Sequence, residues 1–205
     1  MSARCVHVID DEEAIRRSLQ LILRVLSYDV RTFASATSFL ATDLDRTRDC
    51  ILLDLRMPDM DGLEMQRRLN ASGAGHSVIV MSGHGGLGLA VTGMEAGAIA
   101  FLEKPFSRAA LEQVLVLAFL RLEDPDGYRS YLRSASATFQ ELDPADQRVL
   151  ELIARGHDSD SIAEQAGFPL TDVELSRSRI YAKLGAETVT DVLRLAFAAR
   201  RAAPH

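Results

Sequence analysis

The 205-residue chain has no apolar run that approaches the roughly 20 residues a bilayer-spanning helix needs. Its opening, MSARCVHVID, has an apolar centre too short for a secretory signal, so a cytoplasmic location and no membrane partner are expected. Only two cysteines occur, Cys5 and Cys50, which excludes a disulfide framework. Each lies in an apolar, strand-like run and reads as a buried, reduced thiol. Positive charge is in short supply too. The 23 Lys and Arg face 29 Asp and Glu, and the net charge of −6 excludes a general nucleic-acid coat but leaves room for a local basic face. Hydrophobic residues at 47% and charged residues at 25% argue against disorder. The length fits one large domain or two small ones.

What is present is organised around Cys50-Ile51-Leu52-Leu53-Asp54. A continuous apolar run ending in a carboxylate, followed by a turn through Pro58 and Gly62, reads as a parallel strand buried on both faces with an acid at its tip. Cys5 to Ile9 forms a similar run that ends in Asp10 and Asp11. Either acid is expected to cap the helix that follows, whose apolar face is Ile15, Leu19, Ile22, Leu23 and Leu26. His7, inside that first strand, reads as a packed or edge histidine and not as a ligand. Asp29 to Phe33 alternates as a second strand, and Ser35 opens a short helix. Val78 to Ser82 and Ile99 to Lys104 complete a set of five, with Ser107 capping the last helix of this half. Five strand–helix alternations predict a parallel sheet with helices on both faces.

The strand ends carry the chemistry. Asp10, Asp11, Asp54, Ser82 and Lys104 each terminate a strand, and ligands in such sheets bind at those ends. Three carboxylates in a small volume repel unless a cation joins them, and oxygen ligands select Mg²⁺. A carboxylate is also a nucleophile toward phosphorus, and an ammonium offsets charge on phosphoryl oxygens. An aspartyl-phosphate site is the consistent reading.

These segments, VIDDEEAIRRSL, LLDLRMPDMDGLEM, VIVMSGH and AFLEKPF, closely resemble the receiver domain of two-component response regulators of the FixJ/NarL group. The resemblance implies an α/β flavodoxin-like fold with strand order 2-1-3-4-5 over residues 1–122. By that resemblance Asp54 is the phosphoacceptor, and Asp10, Asp11, Asp54 and the Arg56 backbone carbonyl hold Mg²⁺. Ser82 is then the switch hydroxyl, Phe101 the switch aromatic and Lys104 the phosphate-binding lysine, with a cis bond at Lys104-Pro105. The donor is a sensor histidine kinase. No enzymatic activity is expected beyond Mg²⁺-dependent self-phosphorylation and self-dephosphorylation at Asp54. The haloacid dehalogenase type of aspartyl phosphatase is excluded, because Arg56 stands where its general acid would be.

Residues 123–141 read as a partly helical linker. Beyond it, Asp143-Pro144 and Asp158 look like helix starts, Gly156, Gly167 and Gly185 like helix stops, and Thr188 with Asp191 brackets a fourth start. Two short helices joined by a glycine turn fit either a helix-turn-helix or a protein-binding bundle. LDPADQRVLELIARG, SIAEQAG, DVELSRSRIYAKLGA and TVTDVLRLAF resemble a LuxR-type output domain over residues 142–205, an all-α four-helix module. The resemblance makes Thr171 to Leu184 the recognition helix, with Thr171, Glu174, Leu175, Arg177, Ser178, Arg179 and Lys183 as candidate DNA contacts. The fourth helix becomes a dimer surface. Departures from the pattern are Asp160, where a lysine is usual, Ser176, where a histidine or aromatic is usual, and Pro169-Leu170 at the helix start. Thr171 with Glu174 is expected to supply a substitute capping box. The region carries eight basic and ten acidic residues, unusual for a DNA reader. The expectation is a response regulator that dimerises on phosphorylation and binds promoter DNA. The alternative is an output half that binds protein or serves as a phosphate sink.

Overall fold

Strands form where Val, Ile and Leu run together, and the degree of alternation records how deeply each is buried. The computed structural model describes residues 4–42, 48–83 and 86–202. Its strands are β1 (Cys5–Ile9), β2 (Asp29–Phe33), β3 (Cys50–Asp54), β4 (Ser77–Ser82) and β5 (Ala100–Glu103). All neighbours pair in parallel in the order β2-β1-β3-β4-β5. Every residue of β3 and β4 is buried, which is why neither shows a polar face in the sequence. The edge strand β2 alternates.

The helices of this half are α1 (Glu13–Val25), α2 (Ala36–Leu40), α3 (Gly62–Ser72), α4 (Gly86–Glu95) and α5 (Arg108–Glu123). Ser35 and Ser107 cap α2 and α5 through their hydroxyls, as their positions imply. The cap of α1 differs from expectation. Its N-cap is Glu12 with no side-chain cap bond, because Asp10 is turned toward Lys104 and reaches only the Glu12 amide. The Lys104–Pro105 bond is cis.

The C-terminal helices are α6 (Pro125–Gln140), α7 (Pro144–Ile153), α8 (Ser159–Ala166), α9 (Leu170–Leu184) and α10 (Val189–Ala202). The stretch expected to be a partly helical linker is a continuous 16-residue helix. Its polar composition hides the reason. Ala135 lies against Ala198 and Ala199 of α10, with Tyr131, Leu132, Phe139 and Leu195 around them. Small residues let the two backbones approach, so packing decides where propensity alone does not. By packing, the chain divides into Met1–His84 with Glu95–Pro125, and Gly85–Met94 with Asp126–His205, so α4 groups with the second unit.

Asp143 and Asp158 cap α7 and α8, and Thr188 and Asp191 cap the start of α10 reciprocally. The capping box expected from Thr171 and Glu174 is absent. Helix α9 starts one residue earlier, at Leu170, with Pro169 as N-cap and no side-chain cap bond. Proline has already fixed the backbone there, so the chain enters the helix without a hydroxyl's help. No helix among the described residues is long and apolar enough to cross a membrane.

One glycine bears directly on the site. A Cβ at Gly62 would lie 2.4 Å from the Asp54 carbonyl oxygen and 2.7 Å from the Leu55 Cα, both backbone atoms that cannot swing aside. Gly62→Ala is therefore expected to lower unfolding stability by about 1–3 kcal/mol in urea melts, by forcing the β3 terminus outward. A variant as stable as the wild type would show that this approach relaxes freely.

Candidate functional site

Parallel pairing aligns the carboxyl ends of β1, β3, β4 and β5, and each of those ends delivers at least one polar side chain. Asp10 follows β1 and Asp54 ends β3, both buried. Lys104 follows β5 and crosses toward them, because β4 between them ends in the small, buried Ser82. The Lys104 ammonium donates to Asp10 Oδ2 at 2.6 Å and lies 3.1 Å from Asp54 Oδ2. One carboxylate oxygen from each of Asp10, Asp11 and Asp54 lies within 4.8 Å of the other two. Asp11 is solvent-exposed, so the trio opens to water on that side. The Arg56 amide donates to Asp54 Oδ1 at 3.3 Å.

Burial raises the Asp54 carboxyl above its ordinary value, and Lys104 offsets only part of that effect. For Lys104, burial is the largest single influence and acts downward. The bonds and charges of Asp10 and Asp54 together outweigh it, and its affinity for a proton is raised. The site thus holds a fixed cation beside an aspartate whose charge is costly.

Two supporting residues escaped sequence reasoning. The Arg16 guanidinium donates to the backbone carbonyls of Asp10 (2.7 Å) and Asp11 (2.8 Å), pinning the acidic turn. Asp59 accepts from the Thr37 amide and hydroxyl at 3.0 and 2.7 Å, anchoring the loop after β3 to the start of α2. Arg16 acts through backbone and Asp59 through a partner 22 residues away, so neither leaves a local pattern. Phe101 is buried, its ring already packed inward.

In the C-terminal half, the outward side of α9 carries Thr171, Glu174, Leu175, Ser178, Arg179 and Ala182, all exposed as the periodicity implies. Ser176 faces inward and donates to Asp146 Oδ1 at 2.6 Å. Arg179 grips the same carboxylate, with Nε 2.9 Å from Oδ2 and Nη2 2.6 Å from Oδ1. These bonds, Arg179 first, hold the Asp146 carboxyl below its usual range. Arg177 lies over the Tyr181 ring at 6.0 Å, and the Lys183 ammonium is 3.7 Å from Glu141. Each basic residue of α9 already has company inside its own module.

The comparisons agree with this geometry. The model of the response regulator receiver domain matches residues 6–116. The chain is 36% identical to the transcriptional regulatory protein FixJ of Azorhizobium caulinodans, over 95% of this chain and 92% of that one. It is 33% identical to FixJ of Rhizobium meliloti, over 97% of each. Among solved structures, full-length FixJ from B. japonicum aligns with a TM-score of 0.57 at 29% identity over 98% of both chains. The response regulator StyR aligns at 0.56 and 31%, over 95% of this chain and 98% of that one.

The electrostatics of Asp54 have a consequence in solution. Its proton is held more tightly in the folded chain than in the unfolded one. The stability it contributes is therefore lost as pH rises from about 3.9, the ordinary aspartate value, through the raised folded value. Asp54→Asn removes that loss. The variant is expected to be more stable than the wild type at pH 7, by about 1.4 kcal/mol for each tenfold in proton affinity, with the advantage shrinking toward pH 4. Urea unfolding between pH 4 and 7 measures it, and a variant less stable at pH 7 would reverse the assignment.

Proposed function

Because the chain belongs to the response regulators, as its receiver domain and its relatives along nearly the whole chain require, we propose that Asp54 accepts the phosphoryl group of a sensor histidine kinase and that the phosphorylated chain dimerises on promoter DNA. It is a two-component response regulator controlling transcription. The observation that carries the reading is the placement of Asp54 at the tip of a wholly buried strand, 3.1 Å from the Lys104 ammonium and within reach of Asp10 and Asp11.

The transfer needs little from the protein but position and charge. An Asp54 carboxylate oxygen attacks phosphorus, the phosphorus–nitrogen bond of a phosphohistidine breaks, and an acyl phosphate forms. Lys104 is held by Asp10, so its ammonium is already in place for the equatorial oxygens. The Ser82 hydroxyl at the β4 tip is the group to bond one of them, and the Phe101 ring on β5, already packed inward, leaves it room to do so. Three carboxylates with mutually close oxygens suit Mg²⁺, which would be held by Asp10, Asp11, Asp54 and the Arg56 carbonyl. When bound, the ion offsets charge on the acids and on the phosphoryl oxygens. Hydrolysis of the same bond by water makes the mark transient.

The output half supports DNA binding through α9, with Thr171, Glu174, Leu175 and Ser178 facing outward as base-reading candidates. Its electrostatic contribution is small. Arg179 is tied to Asp146, while Arg177 and Lys183 lie near Tyr181 and Glu141, so binding is expected to be weak for one copy and to depend on two acting together.

Acetyl phosphate with Mg²⁺ is expected to add one base-labile, hydroxylamine-sensitive phosphoryl group. Omitting Mg²⁺ or substituting Asp54→Ala should abolish it. Undiminished labelling of Asp54→Ala would exclude this residue as acceptor.

Asp160, exposed in the first turn of α8, sits where a cation would serve DNA better. Asp160→Lys is expected to raise affinity at all sequences and to steepen the log–log salt dependence by about one unit, read in binding titrations from low to moderate salt. If the phosphorylated wild type binds no DNA site selected from a random pool, the output half instead binds protein or acts as a phosphate sink.

A further inference from the structure

At the opposite end of β1 and β3 from Asp10 and Asp54 lies a second cluster of metal-ligating side chains. Cys5 opens β1 and His7 stands two residues on, so strand alternation turns both to one face. Asp49 immediately precedes β3, the strand paired with β1. The Cys5 Sγ is 3.9 Å from His7 Nε2, and His7 Nε2 is 2.9 Å from Asp49 Oδ2. One ligand atom from each of the three lies within 4.8 Å of the others. Cys50 does not join them. It pairs with Val6, so its side chain leaves the sheet on the other face.

We propose that Cys5, His7 and Asp49 form a metal site that takes Zn²⁺. Thiolate, imidazole and one carboxylate make a mixed donor set of the kind zinc accepts, and an Mg²⁺ site built from oxygen does not use sulfur. Tetrahedral zinc at its usual bond lengths needs ligand atoms about 3.4–3.6 Å apart. The sulfur must close by a few tenths of an ångström and the carboxylate open by about half an ångström, a small rotation of Asp49.

The imidazole is already aimed. It is fully buried, with Phe39 edge-on at 5.4 Å and Phe33 at 5.9 Å between ring centroids. Its Nδ1 finds no partner among the described residues, so the polar company of the ring is Cys5 and Asp49 on the Nε2 side. The Asp49 backbone is fixed in turn, its amide donating to His76 Nδ1 at 3.3 Å. Cys5 is half-buried and the Asp49 side chain 21% exposed, which leaves an entry path and room for water as fourth ligand. Asp29 and Arg31, paired with Cys5 and His7 across β2, bring one charge of each sign. On binding, the thiol proton leaves to solvent as the sulfur–zinc bond forms, and the imidazole proton that Nε2 donates to Asp49 passes to Nδ1 as the nitrogen–zinc bond forms.

About five residues of strand, roughly 16 Å, separate this cluster from the acidic trio. The two sites can therefore be read independently. The full-length chain, stripped by chelator and kept in excess Mg²⁺ to occupy the acidic trio, would be titrated with Co²⁺ and then with Zn²⁺. One equivalent of Co²⁺ should give a near-ultraviolet thiolate charge-transfer band and four-coordinate visible bands, displaced by one equivalent of Zn²⁺. Cys5→Ser should abolish the charge-transfer band, and Asp49→Asn should weaken Zn²⁺ binding at least tenfold. Both positions are partly exposed, so these variants test the site where His7→Gln, in the core, could fail to fold. Circular dichroism and acetyl phosphate labelling of each variant report the fold and the other site. A Co²⁺ spectrum with no thiolate band, or Cys5→Ser titrating like the wild type, would overturn the proposal and leave His7 and Asp49 as a hydrogen-bonded pair.

Discussion

A single ammonium group keeps the carboxyl end of this sheet from repelling itself. Lys104 bonds Asp10 and lies beside Asp54, two buried acids that low polarity would otherwise force to neutralise or move apart. Other features serve that contact. β4 ends in serine, small enough for the lysine to pass over it, and the wholly buried β3 and β4 hold the tips at fixed height. Arg16 ties down the acidic turn and Asp59 the loop beyond Asp54. The two acids thus share one cation, Lys104, and neither can draw it closer without loosening its hold on the other.

How much of this could be read from residues alone depended on whether the cause was local. The strands were legible because burial writes itself as apolar runs, or as alternation at the edge strand β2, and Asp10 and Asp54 stood out because the runs of β1 and β3 lead straight into them. Caps made by a residue for its own neighbours, such as Asp143, Asp158 and the Thr188–Asp191 pair, were legible for the same reason. Where a distant partner intervened, local reasoning failed. Asp10 does not cap α1 because Lys104, 94 residues later, holds it. The polar segment after α5 is a full helix because alanines of α10 offer it a close-packed surface. Pro169 starts α9 with no hydroxyl cap at all, a solution that cap patterns do not encode.

The C-terminal module illustrates a trade between holding a fold and reaching a ligand. Ser176 is buried, and its hydroxyl contributes to a carboxylate that also takes both arms of Arg179. Burying Asp146 without those bonds would be costly, so the arginine is committed to the module's interior chemistry before any partner arrives. Affinity from such a surface has to be assembled from several weak contributions, which makes it sensitive to how many copies act at once.

The order of strands in the sheet differs from the order in which a ribosome makes them. β1 has β2 on one side as soon as the first 33 residues exist, but its other neighbour, β3, begins at Cys50. At about 5–20 residues per second, that gap of 17 residues takes roughly one to three seconds to synthesise. For that interval the open edge of β1, from Val6 to Ile9, offers unpaired amides and carbonyls next to an apolar face. In the nascent chain, β1 waits with one edge open to a neighbouring polypeptide until the central strand of the sheet, β3, arrives to cover it.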